Sequence, residues 1–411
     1  MKAGIGYSNI SLSKEAGRQA LNSALTDAAL SSTQLSADDM VLAFCGAAVN
    51  ASEFYQGIRS GLPAEVPIFG GSAIGVITNQ ALSYSGHPAV VAVLKLSSIK
   101  AKVALVEELY KDPLLCGEQL AQQLDEPADA SLQLLLYDSV KYPATATQPP
   151  VLNPSAPLLK GLETWSSGRI PTVGAGLLGD HQFSATWQFA GHQVLQQSAM
   201  LLQFRGALQP YLTSMHGCVP YDKTQYKITN IFGQFLYSLN GEPVVPLIDR
   251  VYGSTQWRQA SPVKQLSLGV YCGDPQQPQR EDLFVNRLIS GALPDGSGVI
   301  LFEPDLAAGM QVQLMRRDPD TILASARVNS KKLLNKIKAD GRKARFALYF
   351  DCGGRAAAYD NNQHEEAAEI QAQCNAFGVP LLGIYCGVEI APFLGKSRGL
   401  DWSGVFVVFA E

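Results

Sequence analysis

Apolar residues along this chain fall into short runs. Met40–Gly46 (MVLAFCG), Val90–Leu96, Leu132–Tyr137, Ser198–Phe204, Arg345–Phe350 and Gly404–Phe409 are each strand-sized. Runs of this length without polar alternation read as strands buried on both faces. Between them the period changes, and Ala51–Arg59 and Pro157–Trp165 read as helices. In His364–Phe377, the residues Ala367, Ile370, Cys374 and Phe377 stand on one face of a 3.6-residue period. Gly378 comes next, where a helix stop belongs.

The punctuation repeats too. Val66-Pro67-Ile68-Phe69-Gly70, Ile170-Pro171-Thr172-Val173-Gly174 and Val379-Pro380-Leu381-Leu382-Gly383 share one spacing of proline and glycine. Proline fits a strand start, where no ladder donor is needed, and glycine permits tight turns and close backbone approach. The pattern predicts a strand–helix–strand–hairpin module used several times. The expected fold class is α/β, as two mixed α/β domains built from these modules. The boundary is placed near Pro220–Tyr226, giving domains 1–222 and 223–411. Just beyond it, Tyr226–Gly241 reads as a hairpin around Phe232-Gly233-Gln234. The proline-rich stretch Tyr142–Pro157 reads as an exposed loop.

Composition narrows the function classes. The 411 residues are 46% hydrophobic and 17% charged, with a net charge of −4. That excludes a disordered chain and argues against nucleic acid, which calls for a basic face. No apolar run reaches the ~18–20 residues of a membrane helix. The first residues, MKAGIGYSNI, lack the apolar stretch of a signal peptide. Seven scattered cysteines do not form a disulfide framework. The expectation is a cytoplasmic protein without membrane insertion.

Candidate chemistry is sparse. The five histidines are far apart, with no CxxC or HExxH, which argues against structural zinc. Non-covalent haem needs only one axial residue, so spacing leaves it open. Gly70-Gly71-Ser72-Ala73-Ile74-Gly75 follows a strand but lacks the Walker lysine. Gly174–Gly179 fits GxGxxG, yet the next segment, Asp180–Gly191, is aromatic and turn-like. Cys45, Cys272, Cys352 and Cys386 each precede a glycine at the end of an apolar run. Parallel strands would gather such ends on the rim where α/β folds bind ligands. Cys352 stands between Asp351 and Arg355, and an arginine lowers a thiol pKa; the alternative is a small buried hydrophobe. Glu389 lies among apolar residues, as a ligand contact or as a cap for backbone donors.

Taken in order, several segments resemble a FIST protein, the bacterial sensory family with paired FIST N and FIST C domains. They are Gly4–Ser8, Pro67–Gly75, Ile170–Asp180 with Thr186–Phe189, Ile228–Gly241, Gly309–Met315, Phe350–Arg355, Gly383–Tyr385 and Glu389–Pro392. One departure stands out: the family usually has Gly directly before the last motif's Glu, and here Val388 takes that place. The resemblance implies a signal-input protein for small ligands, with amino acids or related metabolites suggested. It implies partners such as a histidine kinase in a two-component system, a cyclic-di-GMP enzyme or a chemotaxis receptor. Stand-alone members include haem-binding nitric-oxide sensors.

The leading expectation is therefore a sensor, not an enzyme, with a ligand cleft between the halves. Its candidate lining is Gly70, Gly71, Ser72, Asp180, His181, Asp351, Cys352, Arg355, Tyr385 and Glu389. If haem binds, His181 is the chosen axial ligand, with His87 and His216 as rivals. The alternatives are a thiol enzyme using Cys352 and an interaction scaffold without a ligand.

Overall fold

A computed structural model describes residues 1–165, 168–274, 276, 279–360 and 363–411. The expected module is present three times. Unit one contributes strands Lys2–Ser8, Met40–Cys45, Ile68–Ser72 and Ala89–Lys95. Unit two contributes Ile99–Val106, Ala130–Asp138, Thr172–Leu177 and Ala199–Gly206. Unit three contributes Gln209–Met215, Ala344–Cys352, Leu381–Cys386 and Gly404–Ala410. In each, the order across the sheet is first, fourth, second, third. The second and third strands are parallel, and their crossover carries a helix: Ala51–Arg59, Ser155–Trp165 or Glu366–Phe377. Another helix comes after each first strand: Ser13–Asp27, Pro113–Gln122 and Pro319–Ala339.

Each unit also carries a hairpin between its third and fourth strands, and gives it away. The hairpin of unit one, Gly75–Thr78 with Leu82–Ser83, pairs with the third strand of unit three. That of unit two, Gln188–Gly191 with Gln193–Leu195, pairs with unit one. That of unit three, Val388–Phe393 with Lys396–Leu400, pairs with unit two. The result is three six-stranded sheets linked in a cycle.

The sheets face one another. Alternate residues such as Leu42 and Phe44, Leu134 and Leu136, and Leu348 and Phe350 share one central core. The opposite faces carry the helices, in three separate clusters. Between the first strand of unit three and its helix Pro319–Ala339, the chain makes an insertion. Six of its strands close into a ring through the pairings of Gln311–Arg316 with both Tyr226–Phe232 and Leu266–Tyr271. The proposed boundary near Pro220–Tyr226 falls at the start of this ring. Among the described residues, no helix is long and apolar enough to cross a membrane.

The proline–glycine spacing has a structural cause. The carbonyls of Pro67, Pro171 and Pro380 accept from Val41, Gln133 and Ala347, opening the same parallel pairing in all three units. Gly70 and Gly174 have φ of +134° and +152°. A Cβ on Gly174 would lie 1.8 Å from the Leu135 carbonyl oxygen. Gly378 stops its helix with φ 63°, as expected. We predict that Gly174→Ala costs about 3 kcal/mol or more in urea unfolding. Gly341→Ala, with φ +69° but nothing within 4 Å, should cost only ~1–2 kcal/mol.

Candidate functional site

The carboxyl ends of the second and third strands of all three units converge at the junction of the sheets. The position of a Cβ on Gly179 lies 3.2 Å from Ala47 Cβ and 3.5 Å from Ser72 Cβ. One on Gly353 would strike Ile74, so the three rims touch. The backbone N–H of Ile74 donates to Tyr385 at 3.0 Å and that of Ala47 to Gly179 at 3.0 Å.

The expected site residues separate into two groups. Gly70, Gly71, Ser72 and Asp180 shape backbone. Gly71 has φ +146°, and a Cβ there would meet the Trp187 carbonyl oxygen at 2.1 Å. Ser72 Oγ accepts from Trp187 N–H at 2.9 Å, pinning the incoming hairpin. Asp180 Oδ1 accepts from the N–H groups of Gln182 and Ser184, closing its own turn. The ring of His181 stacks on Tyr359 with centroids 4.2 Å apart. Lys264 Nζ lies 4.3 Å from the centre of that same tyrosine ring.

The second group is charged and buried. Asp351, Cys352, Arg355, Tyr385 and Glu389 are all nearly or fully enclosed. Arg355 forms a double contact with Glu366, its Nε donating at 2.7 Å and its Nη2 lying against the same oxygen. Its Nη1 donates to the carbonyls of His216 and Trp402. Asp351 lies 3.4 Å from Arg355 Nε. Among the described residues, neither Asp351 oxygen accepts a hydrogen bond. Burial, reinforced by Glu366, pushes the Asp351 carboxyl well above its usual range. Glu389 rises for the same reason, with Asp351 and Asp401 adding to it. Its contacts are weak: Cys386 Sγ at 3.5 Å and Ser403 N–H at 3.4 Å. An enclosed carboxyl with so little support keeps its proton.

The thiol expectation needs correction. Burial first, with Glu389 adding to it once ionised, drives Cys352 well above an ordinary thiol, and this outweighs Arg355. The guanidinium is committed to Glu366 and two carbonyls, so Cys352 is the buried hydrophobe of the two readings.

The described residues 356–360 and 363–365 form a strap at the rim between Arg355 and the helix Glu366–Phe377. Its last residue, Glu365, fastens it. Glu365 accepts from the Tyr385 hydroxyl, from Tyr84 at 3.2 Å and from Ala357 N–H at 3.0 Å. Tyr84 belongs to unit one's hairpin region and Tyr385 to unit three, so one carboxylate ties the strap to both. A slot of about 10 Å³, lined by Arg317, Ile322 and His364, reaches Arg355 and Glu366. That admits one water.

Two of the histidine candidates are engaged by neighbouring groups. His181 has a face covered by Tyr359. His216 uses both nitrogens: Nδ1 accepts from Cys218 N–H at 2.9 Å and Nε2 donates to the Glu281 carbonyl at 3.0 Å. Neither of the two larger grooves is lined by His181, His87 or His216.

A FIST N domain model matches residues 39–242 and a FIST C domain model residues 246–392. The chain belongs to the FIST family. FIST domains are signalling sensor domains, which gives the protein a general sensory role. No curated protein matches the chain. Among solved structures, a cyanuric acid hydrolase is similar at 9% identity and a TM-score of 0.37, covering 100% of this chain and 99% of that one. A chorismatase is similar at 8% identity and a TM-score of 0.34, covering 92% and 94%.

The FIST departure at Val388 has a local account. Val388 is a buried strand residue opposite Gly176. The close approach falls on Gly387, where a Cβ would lie 3.1 Å from Ser139 Oγ. Sequence reading missed Glu365, Glu366, Asp401 and Arg287. Asp401 accepts from Leu288 N–H at 2.8 Å and faces Arg287, Glu303 and Asp305. The signal available was the Glu365-Glu366 pair at a helix start and the Asp401-Trp402 step before the last strand.

These environments can be tested at a thiol and at a carboxyl. At pH 7.4, iodoacetamide should label exposed Cys272 first and leave Cys352 untouched in the folded protein. Rapid labelling of Cys352, read by peptide mass, would contradict the site described. Burial raises Asp401 to about 7, against ~3.9 for an unfolded Asp. Its protonated form stabilises the fold fully below ~pH 4, and that contribution disappears as pH rises through 7. The Tm of wild type minus that of Asp401→Asn should therefore fall between pH 5 and about 8 and then level off.

Proposed function

We propose that this FIST protein is a sensor with no reaction of its own. It binds a small ligand bearing an ammonium or similar donor-rich group at the unit junction, near the strap residues that Glu365 fastens. The observation that carries this reading is Asp351, a fully enclosed carboxyl that accepts no hydrogen bond among the described residues. An arriving cation would take its proton's place and restore the charge beside Arg355. Amino acids, the ligand class that the family resemblance suggests, carry that group.

The slot is far too small for such a ligand, so entry requires Glu365 to release Tyr84 and Tyr385. A ligand shifts the open–closed balance only by its difference in affinity for the two forms. The strap and the surface that it uncovers would present the signal to a partner, of which a histidine kinase, a cyclic-di-GMP enzyme and a chemotaxis receptor are the family's kinds. In the haem and nitric-oxide version, His216 is disfavoured because both its nitrogens are engaged.

The test is thermal shift with a panel of amino acids and of the matching N-acetylated forms, on wild type and Asp351→Asn. Amine-bearing members should raise the wild-type Tm and protect the bond after Tyr359 from chymotrypsin, more strongly at pH 8 than at pH 6. Asp351→Asn should lose the response. Equal responses in both proteins, or to acetylated and free amines alike, would overturn the reading.

A further inference from the structure

The threefold repeat supplies an internal comparison. One spot in each sheet is marked by the strand residue whose N–H donates to the repeated proline carbonyl: Val41, Gln133 or Ala347. In unit one its neighbours across the sheet are Val93 and Ile68. In unit three they are Val408 and Leu381. All six side chains are apolar and buried beneath helices. In unit two the same three places hold Gln133, Gln203 and Thr172. These too are buried, at 7%, 1% and 6% exposure.

A polar triad replaces an apolar one beneath an opening among the described residues of the helix layer. A groove of about 310 Å³ lies over Gln133, Gln203 and Thr172. Its walls include Leu124, Leu159 and Leu162 from the helix side, and Ser397 from unit three's hairpin. The Thr172 hydroxyl donates to Gln133 Oε1 at 2.9 Å. Gln203 Nε2 is buried and has no hydrogen-bond partner among the described residues. Burying an unmatched amide is costly, and the other two units avoid that cost with aliphatic side chains. A packing role would have been met by valine.

We propose that this groove is a second binding site, distinct from the Asp351 junction, for a small uncharged ligand. The ligand presents carbonyl oxygen to the glutamine amide donors and an apolar body to the leucines, as a cyclic amide or imide does. Glu126, Glu163, Arg169 and Lys396 also stand on its walls, but Lys396 pairs with Glu163 at 3.5 Å and Arg169 donates to the Pro127 carbonyl at 2.8 Å; the floor offers amide nitrogens, which suit a neutral acceptor. The volume is at the lower end of small-molecule sites. Because Ser397 Oγ also bonds both to Thr172 N–H at 3.2 Å and to its carbonyl at 3.1 Å, an occupied groove would bear on the hairpin that carries Glu389.

The experiment is saturation-transfer NMR on the full chain with four probes: 2-piperidone, glutarimide, glutarate and piperidine. The two carbonyl probes should bind wild type and compete with each other. The unit-one imitation Gln133→Val/Gln203→Val should weaken them at least tenfold while its Tm stays level or rises. Should that double variant fold poorly, Gln203→Met alone should show the same loss. Absence of carbonyl-probe binding to wild type, undiminished binding in the variants, or binding of glutarate alone would each overturn the proposal. Asp351→Asn should keep the carbonyl probes, so failure of one site reads separately from failure of the other.

Discussion

Everything in this fold depends on an exchange of sheet edges. The third strand of each unit has backbone donors and acceptors on its outer side that its own unit does not pair. The neighbouring hairpin supplies them, through Gly383 to Ile77, Gly70 to Phe189 and Gly174 to Ile390. An exposed strand edge invites wrong pairing, and a buried unpaired amide is costly. No unit therefore completes its sheet without another, and the three must assemble as one ring. The inner faces can then share a single core, which none of the sheets could cover alone.

The same exchange decides where charge is buried. Each hairpin enters at the carboxyl end of its neighbour's third strand, so three sets of loops crowd one junction. Unit three brings Asp351 and Arg355 to that junction, and its departing hairpin carries Glu389 into the core side. Arg355 is matched by Glu366, which leaves Asp351 and Glu389 as extra carboxyls in an enclosed space. They persist there because protonation removes the charge that burial penalises. Removing Arg355 would instead leave Glu366 as an uncompensated charge, a change of about 3–5 kcal/mol in comparable buried pairs. The junction is stable when closed, yet it holds acceptors that a donor could use.

Much of this architecture was legible in the chain. The buried runs marked the strands, and the Val/Ile-Pro-x-x-Gly spacing marked the start of three equivalent third strands, because the proline carbonyl opens the parallel pairing in all three and the glycine has positive φ in two, at Gly70 and Gly174. The helices Ser13–Asp27, Pro113–Gln122 and Pro319–Ala339 went unread. Two of them cross a partner helix through glycine contacts, Gly17 on Gly57 and Gly117 on Gly161, so small residues diluted the apolar face that a 3.6-residue period would show. Which sheet a hairpin joins is a through-space fact with no local mark. Site residues divided in the same way. Asp351, Arg355 and Glu389 stood out as charges among apolar residues, whereas Glu365 and Glu366 looked like an ordinary acidic helix start.

Comparing the units at the junction shows how function separated from scaffold. The paired positions at the ends of the parallel strands are Cys45 with Ser72, Tyr137 with Gly176, and Asp351 with Tyr385. The backbone geometry is common to all three pairs, so the scaffold asks for none of these side chains in particular. Only the third pair combines a carboxylate with a phenol, and only there does a strap fasten through Glu365 to the same tyrosine. In unit two the polar substitution lies four residues upstream, at the other end of the strands, over the open groove. A fold that repeats a backbone three times thus varies it twice, at opposite ends of different sheets. The hairpin of unit three touches both places, with Glu389 at one end and Ser397 at the other. It is the element through which events at the two sites can reach each other.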